Sequence, residues 1–118
     1  MNKRWSPQPR TLLALGLCIV TLALYLPSLR NEFIAYDDQQ YVTENRRVQA
    51  GLNWDGVVWA FKNRVATNWH PLTWLSHMLD CQIYGLHPAG HHLTNVLLHT
   101  ANSLFLFLLL QRMTGRLW

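Results

Sequence analysis

The stretch TLLALGLCIVTLALYLPSL, residues 11–29, runs for 19 residues without a charged side chain. At a rise of about 1.5 Å per residue, such a helix is roughly 30 Å long, which matches the hydrocarbon thickness of a bilayer. A cleaved signal peptide also has a basic start and an apolar core, but no small-residue cleavage site follows here. We therefore predict a retained membrane-spanning helix, with Pro27 near its end.

A second apolar segment lies near the other end of the chain. Residues 81–111 contain no Asp, Glu, Lys or Arg, and we predict the span at 93–110. Its first half carries polar side chains at i, i+4 and i+7, which places them on one stripe of a helix. They are Asn95, His99 and Asn102, and either His91 or His92 extends the stripe by a turn. Because polar groups are costly in lipid, the stripe should face neighbouring helices, as a packing surface or as the wall of a functional cavity.

The composition indicates a membrane protein, and the distribution of charge predicts how the chain is oriented in the membrane. Half of the 118 residues are hydrophobic and 14% are charged, whereas soluble domains carry roughly 25% charged residues. The basic residues are dispersed, so the net charge of +4 indicates no nucleic-acid partner. Lys and Arg favour the cytoplasmic side, and both ends are basic. The predicted layout is a cytoplasmic tail at 1–10, a span at 11–29, an extracytoplasmic loop at 30–92, a span at 93–110 and a cytoplasmic end at 111–118.

The loop is predicted to contain two helices. Residues 53–61 form the shorter one, capped by Asn53 or Asp55. Residues 71–84 form the longer one, since Pro71 suits the first helical position and Gly85 suits the stop.

Tryptophan indicates where these helices lie. Four of the six tryptophans sit in or beside them: Trp54, Trp59, Trp69 and Trp74. Because Trp favours the headgroup layer, we expect both helices to lie along the outer membrane surface. The alternative is a small cap that packs on itself.

Two groups of residues have the chemistry of a site. In Tyr36-Asp37-Asp38, a carboxylate just outside the membrane could act as a general base or bind a cation, although a solvated turn is the simpler interpretation. The six histidines have no strong zinc spacing, and haem would need axial histidines on both spans. We therefore favour structural or phosphate-facing histidines and assign no metal ligand. Cys18 and Cys81 are predicted to stay unpaired.

Four strings carry a resemblance to a known family. They are FIAYDDQQYVTEN at 33–45, GLNWDGVVWAF at 51–61, NWHPLTWLSHMLDCQIYGL at 68–86 and HPAGHHLTNVLLHTANSLFLFLLLQRMTG at 87–115. In this order they resemble the N-terminal end of polytopic C-type glycosyltransferases, and they are similar to the transmembrane and tetratricopeptide repeat O-mannosyltransferases. The resemblance implies a polyprenyl-phosphate-linked sugar as donor, in the outer leaflet, and a hydroxyl-bearing protein as acceptor.

The resemblance also implies site residues. In this superfamily a catalytic acidic residue follows the first span, and Asp37 and Asp38 match that position. We favour Asp37 as the base and Asp38 as its neighbour. We also hypothesise that five further residues contact the phosphate of the donor. The two arginines among them would pair with phosphate bidentately through their guanidinium groups. The five residues are His91, His92, Asn95, Arg46 and Arg47.

The sequence departs from the family in length. Such enzymes have about a dozen spans and then a repeat array, whereas this sequence has two spans. We therefore expect an all-α membrane protein that forms the first part of a larger polytopic fold and is inactive alone, or a truncated gene product. It would need further transmembrane helices as partners.

No cofactor is assigned from the sequence, and binding of a divalent metal stays open. The expected location is a bacterial inner membrane, with the loop in the periplasm or outside. The alternative function is a non-catalytic anchor or assembly module that docks partner helices.

Overall fold

The computed structural model describes residues 8–64 and 68–115. Within these ranges the chain is helical and has no β-strand, which confirms the all-α class. The α-helices are α1 (Pro9–Tyr25), α2 (Arg46–Gln49), α3 (Trp54–Lys62), α4 (Pro71–Tyr84) and α5 (Pro88–Thr114). A 3-10 turn (Leu26–Arg30) follows α1, and a π-helical turn (Gln39–Thr43) precedes α2. Most of the predicted tail at 1–10 and the last residues of the predicted end at 111–118 lie outside the described residues.

Two helices are long and apolar enough to cross a membrane, as predicted. They are Pro9–Arg30, with 22 residues, and Pro88–Thr114, with 27 residues. Only 6% of the apolar window of each is buried within this chain, whereas a core helix of a soluble protein would be mostly buried. Leu24 is 70% exposed and Phe105 is 67% exposed. An apolar surface of this kind indicates a membrane protein.

α5 extends beyond its predicted span at both ends, whereas α1 begins two residues before its span and gives way to the 3-10 turn at Leu26. α1 begins at Pro9, and a proline suits the first turn because its missing N–H would have no partner there. α5 begins at Pro88 rather than at residue 93 and continues to Thr114, before Gly115 with its φ of 67°. The prediction followed the apolar residues alone, while the helix continues through the polar residues on either side of them.

The chain divides into two compact units. One comprises Met1–Pro27 and Asn95–Trp118, and we call it the helical pair. The other comprises Ser28–Thr94, and we call it the loop domain. In the loop domain α4 packs against α2, α3 and the π-helical turn. Its core consists of Val42, Val48, Ala60, Trp74, Met78 and Cys81.

The two predicted loop helices are confirmed. Asn53 rather than Asp55 caps α3, because the Asn53 side chain accepts a hydrogen bond of 2.8 Å from the backbone N–H of Gly56. α4 covers the predicted residues, with Pro71 in its first turn. It ends at Gly85, whose φ of 61° lies in the left-handed region that glycine adopts without strain.

Two of the four tryptophans behind the predicted membrane-surface position of the loop helices pack inside the loop domain, and that position stays a prediction. Trp54 and Trp69 are 77% and 60% exposed, but Trp74 is fully buried and Trp59 packs against the core. The rings of Trp59 and Trp74 meet edge to face, with centroids 5.1 Å apart. A domain this small needs large aromatic side chains to build a core, so packing prevails over an interfacial position for these two.

One face of α4 remains apolar and exposed. Leu72, Leu79 and Ile83 are 73%, 43% and 60% exposed, while Trp74 and Met78 on the other side are fully buried. The loop domain therefore packs on itself and also presents an apolar helix face outward.

Candidate functional site

A buried polar cluster lies where α4 and α5 meet in the loop domain. It consists of His77 and Asp80 from α4 and His91 from the first turn of α5. His77 and Asp80 are three residues apart, so they share one side of the helix. One nitrogen or oxygen atom from each residue lies within 4.8 Å of the others. Asp80 is 4% exposed and His91 is 3% exposed, so both are buried, while His77 is half-buried.

The turn between the helices fixes the position of His91. The chain leaves α4 at Gly85 and enters α5 three residues later, at Pro88. The Nε2 atom of His91 donates a hydrogen bond of 2.9 Å to the carbonyl oxygen of Gly85. Because a carbonyl can only accept, this bond places the ring proton on Nε2. The Nδ1 atom of a neutral His91 then carries a lone pair.

One oxygen of the Asp80 carboxylate is held by a hydrogen bond. The hydroxyl of Thr94 donates a hydrogen bond of 2.6 Å to Oδ1 of Asp80. Its other oxygen, Oδ2, lies 3.9 Å from Nδ1 of His91, which is too long for a hydrogen bond. The Nδ1 atoms of His91 and of His77 are buried and have no hydrogen-bond partner among the described residues.

Burial controls the protonation of the groups beside Asp80. Desolvation lowers the pKa of His77, so burial favours the neutral ring, which is the form that can accept a hydrogen bond or ligate a metal. Burial and the Asp80 carboxylate raise the pKa of Cys81, which keeps this thiol protonated and unreactive at neutral pH. Cys18 and Cys81 are both free thiols.

Aromatic rings join the cluster to the core. Tyr41 stacks on Trp74 with ring centroids 4.9 Å apart. The rings of Tyr41 and His77 meet edge to face, with centroids 6.1 Å apart. His70 stacks on the same indole at 5.1 Å. Phe33 meets the ring of His91 edge to face at 5.3 Å. These contacts restrict how far the two histidine rings can rotate.

The predicted acidic pair, Asp37 and Asp38, lies on the segment before α2. Its two residues differ in burial and in hydrogen bonding. Asp38 is partly buried, and its Oδ2 accepts a hydrogen bond of 2.9 Å from the backbone N–H of Ile34. Its charge also acts on His77, in the direction that raises the pKa of the imidazole. Asp37 is exposed, and its side chain makes no hydrogen bond or ion pair with any part of the chain that the structure describes.

The two predicted arginines line an open cleft of about 640 Å³. Tyr36, which precedes Asp37 in the sequence, lines the same cleft, whereas Asp37 is not among the described residues that line it. Arg46 and Arg47 are exposed, and the guanidinium of Arg47 lies 6.0 Å from the ring centre of Trp59. The other lining residues are Gln39, Gln40, Glu44, Asn45 and Trp59.

Comparison with known proteins points in one direction. The chain is 36% identical over 87 residues to the protein O-mannosyl-transferase TMTC2 of Mus musculus and, equally, to that of Homo sapiens. The match covers 68% of this chain and 10% of each relative, so the chain spans about a tenth of the length of these curated relatives. No family model matches the chain. No solved structure matches it.

The comparison supports part of the resemblance read from the sequence. The chain is similar to a portion of a protein that is named as a protein O-mannosyl-transferase. Both relatives are mammalian, so they give no support to the bacterial membrane that we expected.

The predicted phosphate contacts fall in separate places. Arg46 and Arg47 share the open cleft, and none of the three other predicted residues lines it. His91 is buried against Asp80, and Nε2 of His92 is buried without a hydrogen-bond partner among the described residues. Asn95 is exposed on α5.

The cluster as a unit was not predicted from the sequence. Asp80 and Thr94 carried no predicted role, and His77 shared only the general expectation for the six histidines. One signal was present: Asp80 is the last charged residue before 31 uncharged ones, on a helix that also carries Trp74 and Met78. A lone carboxylate in such surroundings needs partners, and the polar residues that follow Gly85 in the sequence include His91 and Thr94.

Proposed function

We propose that this chain is the N-terminal part of a membrane glycosyltransferase that moves a sugar from a polyprenyl-phosphate donor to a hydroxyl group of a protein. The observation that carries the proposal is the 36% identity to TMTC2, which is named as a protein O-mannosyl-transferase. The two exposed apolar helices agree with a lipid-linked donor, because such a donor is confined to the membrane.

In this proposal Asp37 is the general base. Its carboxylate is exposed and unengaged, whereas Asp38 holds the backbone of Ile34 and thereby shapes the segment. Asp37 accepts the proton of the acceptor hydroxyl as the hydroxyl oxygen attacks C1 of the sugar. The bond from C1 to the phosphate oxygen breaks, and the polyprenyl phosphate leaves with inversion at C1.

The donor phosphate is proposed to bind near Arg46 and Arg47. Two exposed guanidinium groups line one cleft with Tyr36, the residue before the proposed base, and they offer bidentate pairing to phosphate. His92 and Asn95 are proposed as further donor contacts. His91 is the weakest member of the predicted set, because the Asp80 carboxylate beside it repels an anion.

A second function is supported by one observation. Asn95, His99 and Asn102 are exposed on α5, where lipid alone would be a costly environment for them. In the helical pair His99 also meets the ring of Tyr25 edge to face, with centroids 4.6 Å apart. The stripe therefore suits docking of a partner helix, either within a larger transferase or in an assembly module without catalysis. Asn95→Leu should then weaken helix association, measured by crosslinking in the membrane.

The catalytic proposal is tested in the complete protein from which the chain comes. Asp37→Asn should reduce sugar transfer by about 10²-fold or more, since a positioned base contributes on that scale. Asp55→Asn is the matched control, because Asp55 is also exposed and lies at the start of α3. Transfer at the normal rate by Asp37→Asn, with normal membrane insertion, would exclude Asp37 as the base.

The orientation is tested separately. A cysteine introduced at Tyr36, which is 80% exposed, should react with an impermeant maleimide from the non-cytoplasmic side in a variant lacking the native cysteines. A cysteine at the exposed Arg112 serves as the cytoplasmic control. Reaction of the Tyr36 site only from the cytosol would contradict the proposed topology and with it the outer-leaflet donor.

A further inference from the structure

The cluster of His77, Asp80 and His91 has the composition of a transition-metal site. Two imidazoles and one carboxylate offer donor atoms that lie within 4.8 Å of one another. Ligands about 2.1 Å from a tetrahedral zinc ion are roughly 3.4 Å apart, so side-chain movements of about 0.5 to 1 Å would close the set around an ion. The 3.9 Å separation of His91 Nδ1 and Asp80 Oδ2 is already close to that spacing.

The contacts behind the donor atoms are those of a metal site. In such sites a ligating histidine donates its other ring N–H to a carbonyl or carboxylate, which fixes the tautomer. His91 does this through Nε2 and the carbonyl of Gly85, leaving the Nδ1 lone pair directed at the cluster. The Asp80 carboxylate is held by the hydroxyl of Thr94 through Oδ1, leaving Oδ2 toward His91.

A hydrogen bond between His91 and Asp80 explains the positions of their side chains less well than a bound metal ion does. A charge-assisted hydrogen bond between an imidazolium and a carboxylate is about 2.7 to 2.9 Å long. The observed 3.9 Å leaves Nδ1 of His91 buried without a partner, and Nδ1 of His77 is in the same state. A buried nitrogen without a hydrogen-bond partner destabilises the fold, and a bound cation would satisfy both of these donor atoms together.

We infer that His77, Asp80 and His91 form a binding site for one divalent first-row transition metal, such as Zn²⁺, with a fourth position left for water or another ligand. Imidazole nitrogen favours these metals, whereas Mg²⁺ and Ca²⁺ favour all-oxygen ligand sets. Burial, the largest influence on His77, favours the neutral imidazole that can act as a ligand. This inference is independent of the proposed sugar transfer, because its readout is metal binding alone.

The test uses the full 118-residue chain in detergent micelles, freed of any affinity tag and stripped with EDTA. Titration with Zn²⁺, followed by equilibrium dialysis and elemental analysis, should give one ion per chain, with no competition from equimolar Mg²⁺. Asp80→Asn and His91→Gln should each weaken binding at least 10-fold, and Thr94→Val by about 10-fold as the loss of a supporting contact. His87→Gln is the matched control, because His87 is exposed and outside the cluster and should leave binding unchanged.

A second measurement does not depend on variants that fail to fold. Co²⁺ bound to the wild-type chain should show the visible absorption of a coordinated ion, and Asp80→Cys should add a sulfur-to-cobalt charge-transfer band. The inference is overturned if the folded wild-type chain binds Zn²⁺ no better than the triple variant His77→Gln/Asp80→Asn/His91→Gln. It is also overturned if His87→Gln loses as much binding as His91→Gln does.

Discussion

The hydroxyl of Thr94 donates a hydrogen bond of 2.6 Å to Oδ1 of Asp80, and this bond connects the first turns of α5 to α4. Asp80 is 4% exposed, so its carboxylate depends on protein groups for the contacts that water would otherwise provide. The bond therefore stabilises the loop domain as well as directing Oδ2 toward His91.

Thr94→Val should destabilise the loop domain by about 1.5 to 3 kcal/mol, the usual worth of a hydrogen bond to a charged group. Valine keeps the shape of threonine but leaves the buried carboxylate without this donor. Ser103→Ala is the control, because the Ser103 hydroxyl donates its hydrogen bond to the carbonyl of His99 in its own helix. Thermal unfolding in detergent, followed by circular dichroism, measures both; equal effects of the two changes would argue against a stabilising role for the Asp80 contact.

Trp74→Ala should destabilise the loop domain by about 3 to 5 kcal/mol, because it opens a large cavity in the core. The indole is fully buried and stacks on Tyr41 at 4.9 Å. Trp54→Ala is the matched control at a 77% exposed position, where a change within about 0.5 kcal/mol is expected. Denaturant unfolding with a helical signal compares them, and a Trp74→Ala variant as stable as Trp54→Ala would show that the aromatic core is not needed.

Gly90→Ala should destabilise the turn between α4 and α5 by about 1 to 3 kcal/mol through overpacking. A methyl group on Gly90 would lie 2.6 Å from Cβ of Tyr84, an atom close to the backbone that cannot move aside by rotating the side chain. At Gly16 the same change meets nothing within 4 Å, so Gly16→Ala should be neutral or slightly stabilising through helix propensity. Thermal midpoints of the two variants give the comparison, and a neutral Gly90→Ala would contradict the close packing of these helices.

The stability of the loop domain should fall as the pH drops below about 6.5. Burial is the main reason that the pKa of His77 lies below its ordinary value of 6.5, so the unfolded chain takes up a proton more readily than the folded one. The contribution of His77 to the stability of the loop domain is fully present above its ordinary pKa. This contribution is lost as the pH falls toward the lower pKa of the folded state. Other groups also act on His77: Asp80 and Asp38 raise its pKa, and His91 and His70 lower it.

The measurement is thermal unfolding with EDTA present, from about pH 8 to about pH 5, the range in which histidine titrates. His77→Gln should flatten the pH dependence, while the exposed His87→Gln should leave its slope unchanged. An unchanged slope in His77→Gln would mean that other groups cause the pH dependence.

Several parts of this protein follow from the sequence because their causes lie within a few neighbouring residues. The uncharged stretch at 11–29 predicted the first apolar helix by length and hydropathy alone. Asn53, Pro71 and Gly85 predicted helix ends because capping and φ preferences act within one turn. The acidic pair was also visible in the sequence, which does not distinguish the exposed Asp37 from the hydrogen-bonded Asp38.

Contacts between separate helices were decided by the tertiary structure. Trp54 and Trp74 are the same residue type on two loop helices, yet one is 77% exposed and the other fully buried. His77, Asp80 and His91 meet because the chain reverses at Gly85 and sets α5 against α4, and no spacing rule along the sequence encodes that distance. Local preferences determine where each helix begins and ends. Which side chains are buried depends on which helix faces pack together, and this is determined by the fold of the whole domain.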